Sequence, residues 1–190
     1  MWVFLVTEIM FFGGLFAAYT VYRWMYPDAF AAASHETDLG WGAINTVVLL
    51  GSSLTMALAV YFAQIGKRRA LVTFVLLTIL LGVVFLGIKG AEYHHKYVDH
   101  LIPGAGFQFE AQFQKHAQLF FLFYFIMTGM HALHMVVGIG LLAVLAARAW
   151  YGQFSPEYFF PVEVTGLYWH FVDIVWIFLF PLLYLIDRHK

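Results

Sequence analysis

The sequence predicts an all-α fold, an integral membrane bundle of five transmembrane helices. Hydrophobic residues make up 63% of the chain and charged residues 11%, and the apolar residues gather in five long runs. An ordinary soluble domain has about 45–50% apolar and about 25% charged residues, so most of this chain is expected to face lipid. Each run reaches the roughly 20 residues that a span requires. The predicted spans, within a single domain, are residues 2–22, 43–63, 71–91, 117–147 and 162–186.

The first span begins at Trp2 with no basic stretch before it, so we interpret it as a true span and not as a cleaved signal peptide. The connector that follows, residues 23–42, contains Pro27, Asp28 and Gly40, which favour turns. We therefore predict an ordinary loop between the first two spans.

The short loop at residues 64–70 determines the predicted orientation. It carries Lys67, Arg68 and Arg69, and cytoplasmic loops of membrane proteins are enriched in Lys and Arg. The N-terminus is therefore predicted to be cytoplasmic. Residues 92–116 form the most polar segment, and we expect them to shape an external surface that meets a partner.

Ionisable residues inside the spans are the candidates for function, because a charge near a helix centre costs roughly 2.5–3.5 kcal/mol on insertion scales. Glu8 lies about a third of the way along the first span among large apolar side chains. It is interpreted either as a proton-relay or gating carboxyl or as a group hydrogen-bonded across a helix interface. Asn45 in the second span suits interhelical hydrogen bonding.

His131 and His134 are three residues apart and therefore share one face of the fourth span. A haem would need an axial ligand from another helix. One alternative function is thus a membrane haem protein in which either residue faces His170. We favour histidines bonded to neighbouring helices or lipid headgroups, because His-x-x-His alone is a weak metal signal.

The fifth span carries a set of polar residues at helical spacing. Glu163 is seven residues before His170, and Asp173 is three residues after it. The spacing predicts one polar stripe, and such a stripe usually faces protein and not lipid. A proton or ion carrier that uses Glu8 and Asp173 is a further alternative.

The sequence indicates that this chain carries no catalytic site of its own. It has no Cys, and it contains no P-loop, nucleophile elbow or His-Glu-x-x-His motif. We therefore predict no catalytic residue and no metal site. The net charge of −1 provides no long-range field that would attract nucleic acid.

Four polar motifs, one in each of four spans, occur in the chain. The first is Thr7-Glu8-Ile9-Met10-Phe11-Phe12. The others are Asn45-Thr46 with Leu50-Gly51-Ser52-Ser53-x-Thr55, Thr128-Gly129-Met130-His131-Ala132-Leu133-His134, and Tyr168-Trp169-His170-Phe171-Val172-Asp173-Ile174-Val175-Trp176. Together they resemble subunit III of cytochrome c oxidase, in which the first motif has the form Ser-Glu-x-Met-Phe-Phe, and Glu92-Tyr93 resembles the family's Glu-Tyr at the end of the remaining span. The chain is identified as a member of this family in a five-helix form similar to that of some bacterial oxidases.

The resemblance implies an accessory subunit with no haem or copper of its own. It would dock against catalytic subunit I, with subunit II in the same complex, and cytochrome c would be the electron donor for the reduction of oxygen to water. The family also implies bound phospholipid, support of proton uptake and oxygen access, and the bacterial inner membrane. A quinol oxidase or a nitric oxide reductase complex is the alternative setting.

The resemblance also implies roles for individual residues. Structural polar positions are expected at Glu8, Asn45, Glu92, Glu163 and Asp173. Lipid or interhelical contacts are expected at His131, His134, Trp169 and His170.

Overall fold

The computed structural model describes residues 2–104, 107, 109–110 and 113–185. Over these residues the chain forms six helices and no strand. They are α1 (Trp2–Met25), α2 (Pro27–His35), α3 (Leu39–Gln64), α4 (Arg68–Val98), α5 (Gln114–Trp150) and α6 (Phe160–Tyr184). Within the described chain, five helices, all but α2, are long and apolar enough to cross a membrane, which confirms the predicted bundle. Ile186, the predicted end of the fifth span, lies outside the described residues.

The connector between the first two spans is helical, and the prediction of an ordinary loop at residues 23–42 was wrong. Pro27 occupies the start of α2, where its fixed φ suits the first turn. Asp28 lies in that turn, where the helix dipole favours a negative charge. Phe30 and Ala33 are fully buried. Burial against the bundle and a favourable first turn together stabilise this short helix.

The packed part of the bundle consists of α3, α4, α5 and α6, and Trp169 of α6 lies at its centre. A Cβ atom added to Gly82 of α4 would lie 2.8 Å from the indole, and one added to Gly138 of α5 would lie 3.0 Å from it. The indole Nε1 donates a hydrogen bond to Ser52 Oγ of α3 at 3.1 Å. The two glycines therefore let three helices close around one buried aromatic ring.

Helix α1 lies at the side of this bundle. Phe12 and Tyr19 are its only buried residues over Trp2–Met25. The Tyr19 hydroxyl donates a hydrogen bond to the carbonyl oxygen of Leu182 at 2.7 Å, and its ring packs against Phe30 and Phe120. These contacts hold the second half of α1 against α2, α5 and α6.

Candidate functional site

The first polar contact inside the membrane spans joins α1 to α5. His134 Nε2 lies 3.1 Å from Glu8 Oε2, and the other ring nitrogen, Nδ1, lies 2.8 Å from the carbonyl oxygen of Met130. A carbonyl oxygen can only accept, so Nδ1 carries a proton and the contact between Nε2 and Oε2 shares one more. The pair is either a neutral acid bonded to a neutral imidazole or an ion pair. Its net charge is zero in both forms.

Two clefts flank α1 on either side of this pair. One has a volume of about 390 Å³ and is lined by His134 and by the apolar or aromatic side chains of Phe4, Leu133, Val137, Leu141 and Tyr168. The other, of about 210 Å³, lies between α1 and α6 and includes Phe12, Phe16 and Phe171. Both are mainly apolar. Their chemistry suits hydrocarbon chains and not a polar substrate.

The second polar cluster is a buried ion pair that ties α4, α5 and α6 together. Lys89 Nζ lies 2.9 Å from Glu92 Oε2, and it also donates to the hydroxyl oxygens of Tyr184 at 2.8 Å and Tyr124 at 3.1 Å. These two hydroxyls donate in turn to Glu92 Oε1, Tyr184 at 2.6 Å and Tyr124 at 2.7 Å. We call Lys89, Glu92, Tyr124 and Tyr184 the lysine network.

The lysine network satisfies both charges almost completely. The Lys89 and Glu92 side chains are only 4% and 2% exposed. An ammonium has three donors, and all three have partners here. Burying two charges is tolerated when their remaining donors and acceptors are hydrogen-bonded. The network is therefore suited to fixing the relative position of three helices.

Sequence reasoning missed Lys89, although the signal was present. Lys89 lies inside the predicted span at residues 71–91, and it is three residues before Glu92, a spacing that places both on one helix face. A charge within a predicted span demands a partner. The spacing could therefore have identified the ion pair, although not its two tyrosines.

The third polar cluster lies between α3 and α6. His170 Nδ1 is 2.7 Å from Ser53 Oγ, a contact that joins α6 to α3. Asp173 is buried, and within the described chain its carboxyl lies beside the Ser53 hydroxyl without a hydrogen bond of good geometry. Glu163 is exposed. Of the predicted stripe, His170 and Asp173 lie against protein, whereas Glu163 points away from the neighbouring helices even though the preceding Val162 is fully buried.

Asn45 and His131 are buried inside the bundle at 0% and 1% exposure. Among the residues that the structure describes, neither side chain has a hydrogen-bond partner. The imidazole of His131 packs against Phe85 and Trp176, with ring centroids 5.4 Å and 5.2 Å apart. His131 therefore behaves as part of the aromatic core.

The three histidines predicted as site residues, His131, His134 and His170, do not share one site. His134 uses both of its ring nitrogens on Glu8 and Met130, and His170 uses Nδ1 on Ser53. No group of three or more His, Cys, Asp or Glu residues in the described part of the chain is placed to hold a metal ion. The arrangement supports helix contacts at these positions.

Comparisons with known proteins identify the family of the chain. A family model described as cytochrome c oxidase subunit III matches residues 1–187. Cytochrome c oxidase subunit 3 of Corynebacterium diphtheriae is 34% identical, with 97% of this chain and 85% of the relative covered. The subunit 3 of Thermostichus vulcanus is 33% identical, with 98% and 85% covered. A probable quinol oxidase subunit 3 of Staphylococcus haemolyticus is 31% identical, with 97% and 86% covered. The chain therefore belongs to the cytochrome c oxidase subunit III family.

Proposed function

We propose that this chain is the non-catalytic subunit III of a haem-copper terminal oxidase that takes electrons from cytochrome c. One observation supports an accessory role most directly: two pairs of ionisable groups within the spans are bonded to each other. Lys89 is paired with Glu92, and Glu8 with His134. Groups used in this way stabilise helix contacts and are not presented to a substrate.

The proposed partners are catalytic subunit I, which carries the haem and copper, and subunit II of the same complex. The proposed location is the bacterial inner membrane with the N-terminus in the cytoplasm. The connection between α3 and α4 supports this orientation, because Lys67 lies in it, Arg68 and Arg69 begin α4, and Arg148 lies in the last turn of α5 at the same end of the bundle.

Phospholipid is the proposed occupant of the two clefts beside α1. Their linings are almost entirely apolar, and the bilayer supplies acyl chains at this depth. Lipid bound there would stabilise the position of α1, and with it the pair of Glu8 and His134. We propose that this support keeps the catalytic subunit active, sustaining its proton uptake and its access to oxygen.

A quinol donor is the second candidate, favoured by the similarity to the probable quinol oxidase subunit 3 of Staphylococcus haemolyticus. The two donors are separated by offering the purified complex reduced cytochrome c or a reduced quinol. Oxygen consumption with cytochrome c, and none with the quinol, supports the first proposal.

The proposed function is tested by affinity purification of this chain from its native membranes in mild detergent. We expect to recover a large, His-rich, multi-span catalytic subunit, and a haem absorption spectrum that follows that subunit. An unrelated membrane protein with the same tag is the control. A chain that purifies alone and retains haem would contradict the proposal and favour the haem-protein alternative with His131, His134 and His170.

A further inference from the structure

A groove between the start of α4 and the end of α5 plays no part in the proposed function. It has a volume of about 550 Å³ and is lined by Arg68, Arg69, Val72, Thr73, Leu76 and Trp150; we call it the arginine groove. Arg68 and Arg69 occupy the first turn of α4, Val72 and Leu76 follow along the same helix, and Trp150 comes from the end of α5. At 1.5 Å per residue, Leu76 lies about 12 Å along the axis from Arg68. The groove therefore has a charged end and an apolar end.

Arg68 is held in place at the charged end. Its Nε donates a hydrogen bond to the carbonyl oxygen of Ala149 at 3.1 Å. Its guanidinium also lies over Gly152, where an added Cβ would come within 3.3 Å of Nη1. Gly152 has a φ of +75°, which glycine adopts without strain. The guanidinium is thus positioned by protein through Nε, and its Nη donors remain for a ligand.

The charges at this helix end are not neutralised by the protein. Over the residues that the structure describes, the ion pairs are Lys89 with Glu92, His95 with Asp99, and His134 with Glu8. None involves the cations at the start of α4. The first turn of α4 contains no acidic residue, and Lys67 at the N-cap makes no capping hydrogen bond through its side chain. The positive end of the helix dipole repels nearby cations, so a bound anion would relieve this repulsion.

The remaining groove residues indicate what kind of anion fits. Trp150 is 64% exposed and Leu76 is 51% exposed. Exposed tryptophan is typical of the headgroup level of a bilayer, and exposed leucine within a span faces hydrocarbon. The groove therefore runs from the headgroup level into the acyl-chain region.

We infer that the arginine groove binds an anionic phospholipid, with its phosphate at Arg68 and Arg69 and one acyl chain against the exposed Leu76. A lipid with net negative charge is favoured over phosphatidylcholine, whose quaternary ammonium offsets its phosphate beside two arginines. Inorganic phosphate shares the headgroup chemistry but leaves the apolar end uncovered. This site is separate from the clefts beside α1.

The test uses the complex purified from native membranes and reconstituted in nanodiscs. Phosphatidylglycerol or phosphatidylcholine with a photoactivatable acyl chain is added, and labelling of the peptide that covers residues 70–77 is measured by mass spectrometry. We expect phosphatidylglycerol to label this peptide at least about fivefold more, since one basic residue near an anionic lipid contributes roughly that preference. Equal labelling by the two lipids in the unaltered chain would overturn the inference.

Substitutions of the two arginines test whether they cause the preference for phosphatidylglycerol. Arg69→Gln leaves the Arg68 contact with Ala149 in place, and we expect it to lower the labelling ratio. Arg68→Gln with Arg69→Gln should bring the ratio close to one. Arg23→Gln, which removes the same charge in the last turn of α1 at the opposite end of the bundle, is the matched control and should change nothing. An unchanged ratio in both groove variants would overturn the inference.

An excess of inorganic phosphate separates the two sources of the anion. A lipid site keeps its preference for phosphatidylglycerol under these conditions, whereas loss of the preference would assign the groove to a free anion and overturn the lipid assignment. The labelled peptide belongs to this chain. The outcome is therefore distinguishable from failure of the proposed partnership with a catalytic subunit.

Discussion

The α3–α6 bundle and the α1 helix satisfy their ionisable groups in different ways. In the bundle, Lys89 and Glu92 are 4% and 2% exposed and are surrounded by hydroxyl partners from two other helices. On α1, Glu8 is 19% exposed and has His134 as its ion-pair partner, with a cleft of about 390 Å³ beside the pair. The bundle is stabilised from within the chain, whereas α1 also depends on whatever fills the clefts.

The difference between α1 and the bundle follows from the lipid that surrounds them. Lipid tails are as apolar as leucine, so helices in a membrane gain little from hydrophobic burial and associate through close packing and interhelical hydrogen bonds. The bundle has both, at Trp169 and in the lysine network. Helix α1 buries only Phe12 and Tyr19 over its described length. The difference predicts unequal sensitivity to substitution.

The largest effect is expected from Lys89→Met. Removing one partner of a buried ion pair costs about 3–5 kcal/mol, because the other charge remains buried and unpaired. We expect the free energy of unfolding to fall by this amount, measured by titrating the purified complex with SDS. The double variant Lys89→Met with Glu92→Gln should recover most of the loss, since no charge is then left alone.

Lys67→Met is the matched control, because Lys67 is an exposed lysine at the start of α4. A loss in Lys89→Met no greater than in Lys67→Met would show that the lysine network does not hold the bundle together. A double variant as unstable as the single one would show that the hydrogen bonds, and not the charge balance, carry the effect.

An intermediate effect is expected at the packing contact around Trp169. Gly138→Ala places a methyl group 3.0 Å from the indole, and overpacking of this kind costs about 1–3 kcal/mol. Gly140→Ala, two residues further along α5, meets nothing within 4 Å and should leave the free energy of unfolding nearly unchanged. Equal losses in the two variants would place the sensitivity in the backbone of α5 and not in the contact with Trp169.

The smallest effect on stability is expected at α1. Glu8→Leu removes one hydrogen bond, which contributes about 0.5–1.5 kcal/mol, and should mainly increase hydrogen exchange of the α1 amides. Glu8→Gln retains a donor for His134 Nε2 and should resemble the unaltered chain. A loss in Glu8→Leu as large as that in Lys89→Met would mean that α1 belongs to the stable core.

The sequence predicted the features that depend on local composition. The five spans follow from runs of apolar residues, which need no knowledge of neighbours. Helix α2 could not be predicted from local composition, because its stability depends on Phe30 being covered by Phe120, 90 residues further along the chain. A turn-rich composition at residues 23–42 concealed that burial.

For the polar sites, too, the sequence identified individual residues but not the partners that only the fold brings close to them. Glu8 was recognised as an intramembrane carboxyl from the sequence, but its partner His134 is 126 residues away and only the packing of α1 on α5 brings them together. The two tyrosine partners of Lys89 are 35 and 95 residues distant along the chain. Spacing along α6 could not report that Glu163 points away from the neighbouring helices while Val162, one residue earlier, is fully buried.

We propose that this chain supports an oxidase without taking part in its chemistry, and the behaviour of Glu8 during turnover decides between the two roles. Oxygen consumption by the purified complex should be followed from the first turnovers until activity is lost, in the unaltered chain and in Glu8→Gln and Glu8→Leu. We expect unchanged initial rates in all three and a shorter working lifetime in Glu8→Leu. Loss of the first turnovers in Glu8→Gln would contradict it, because a direct role for this carboxyl in the reaction would then be required.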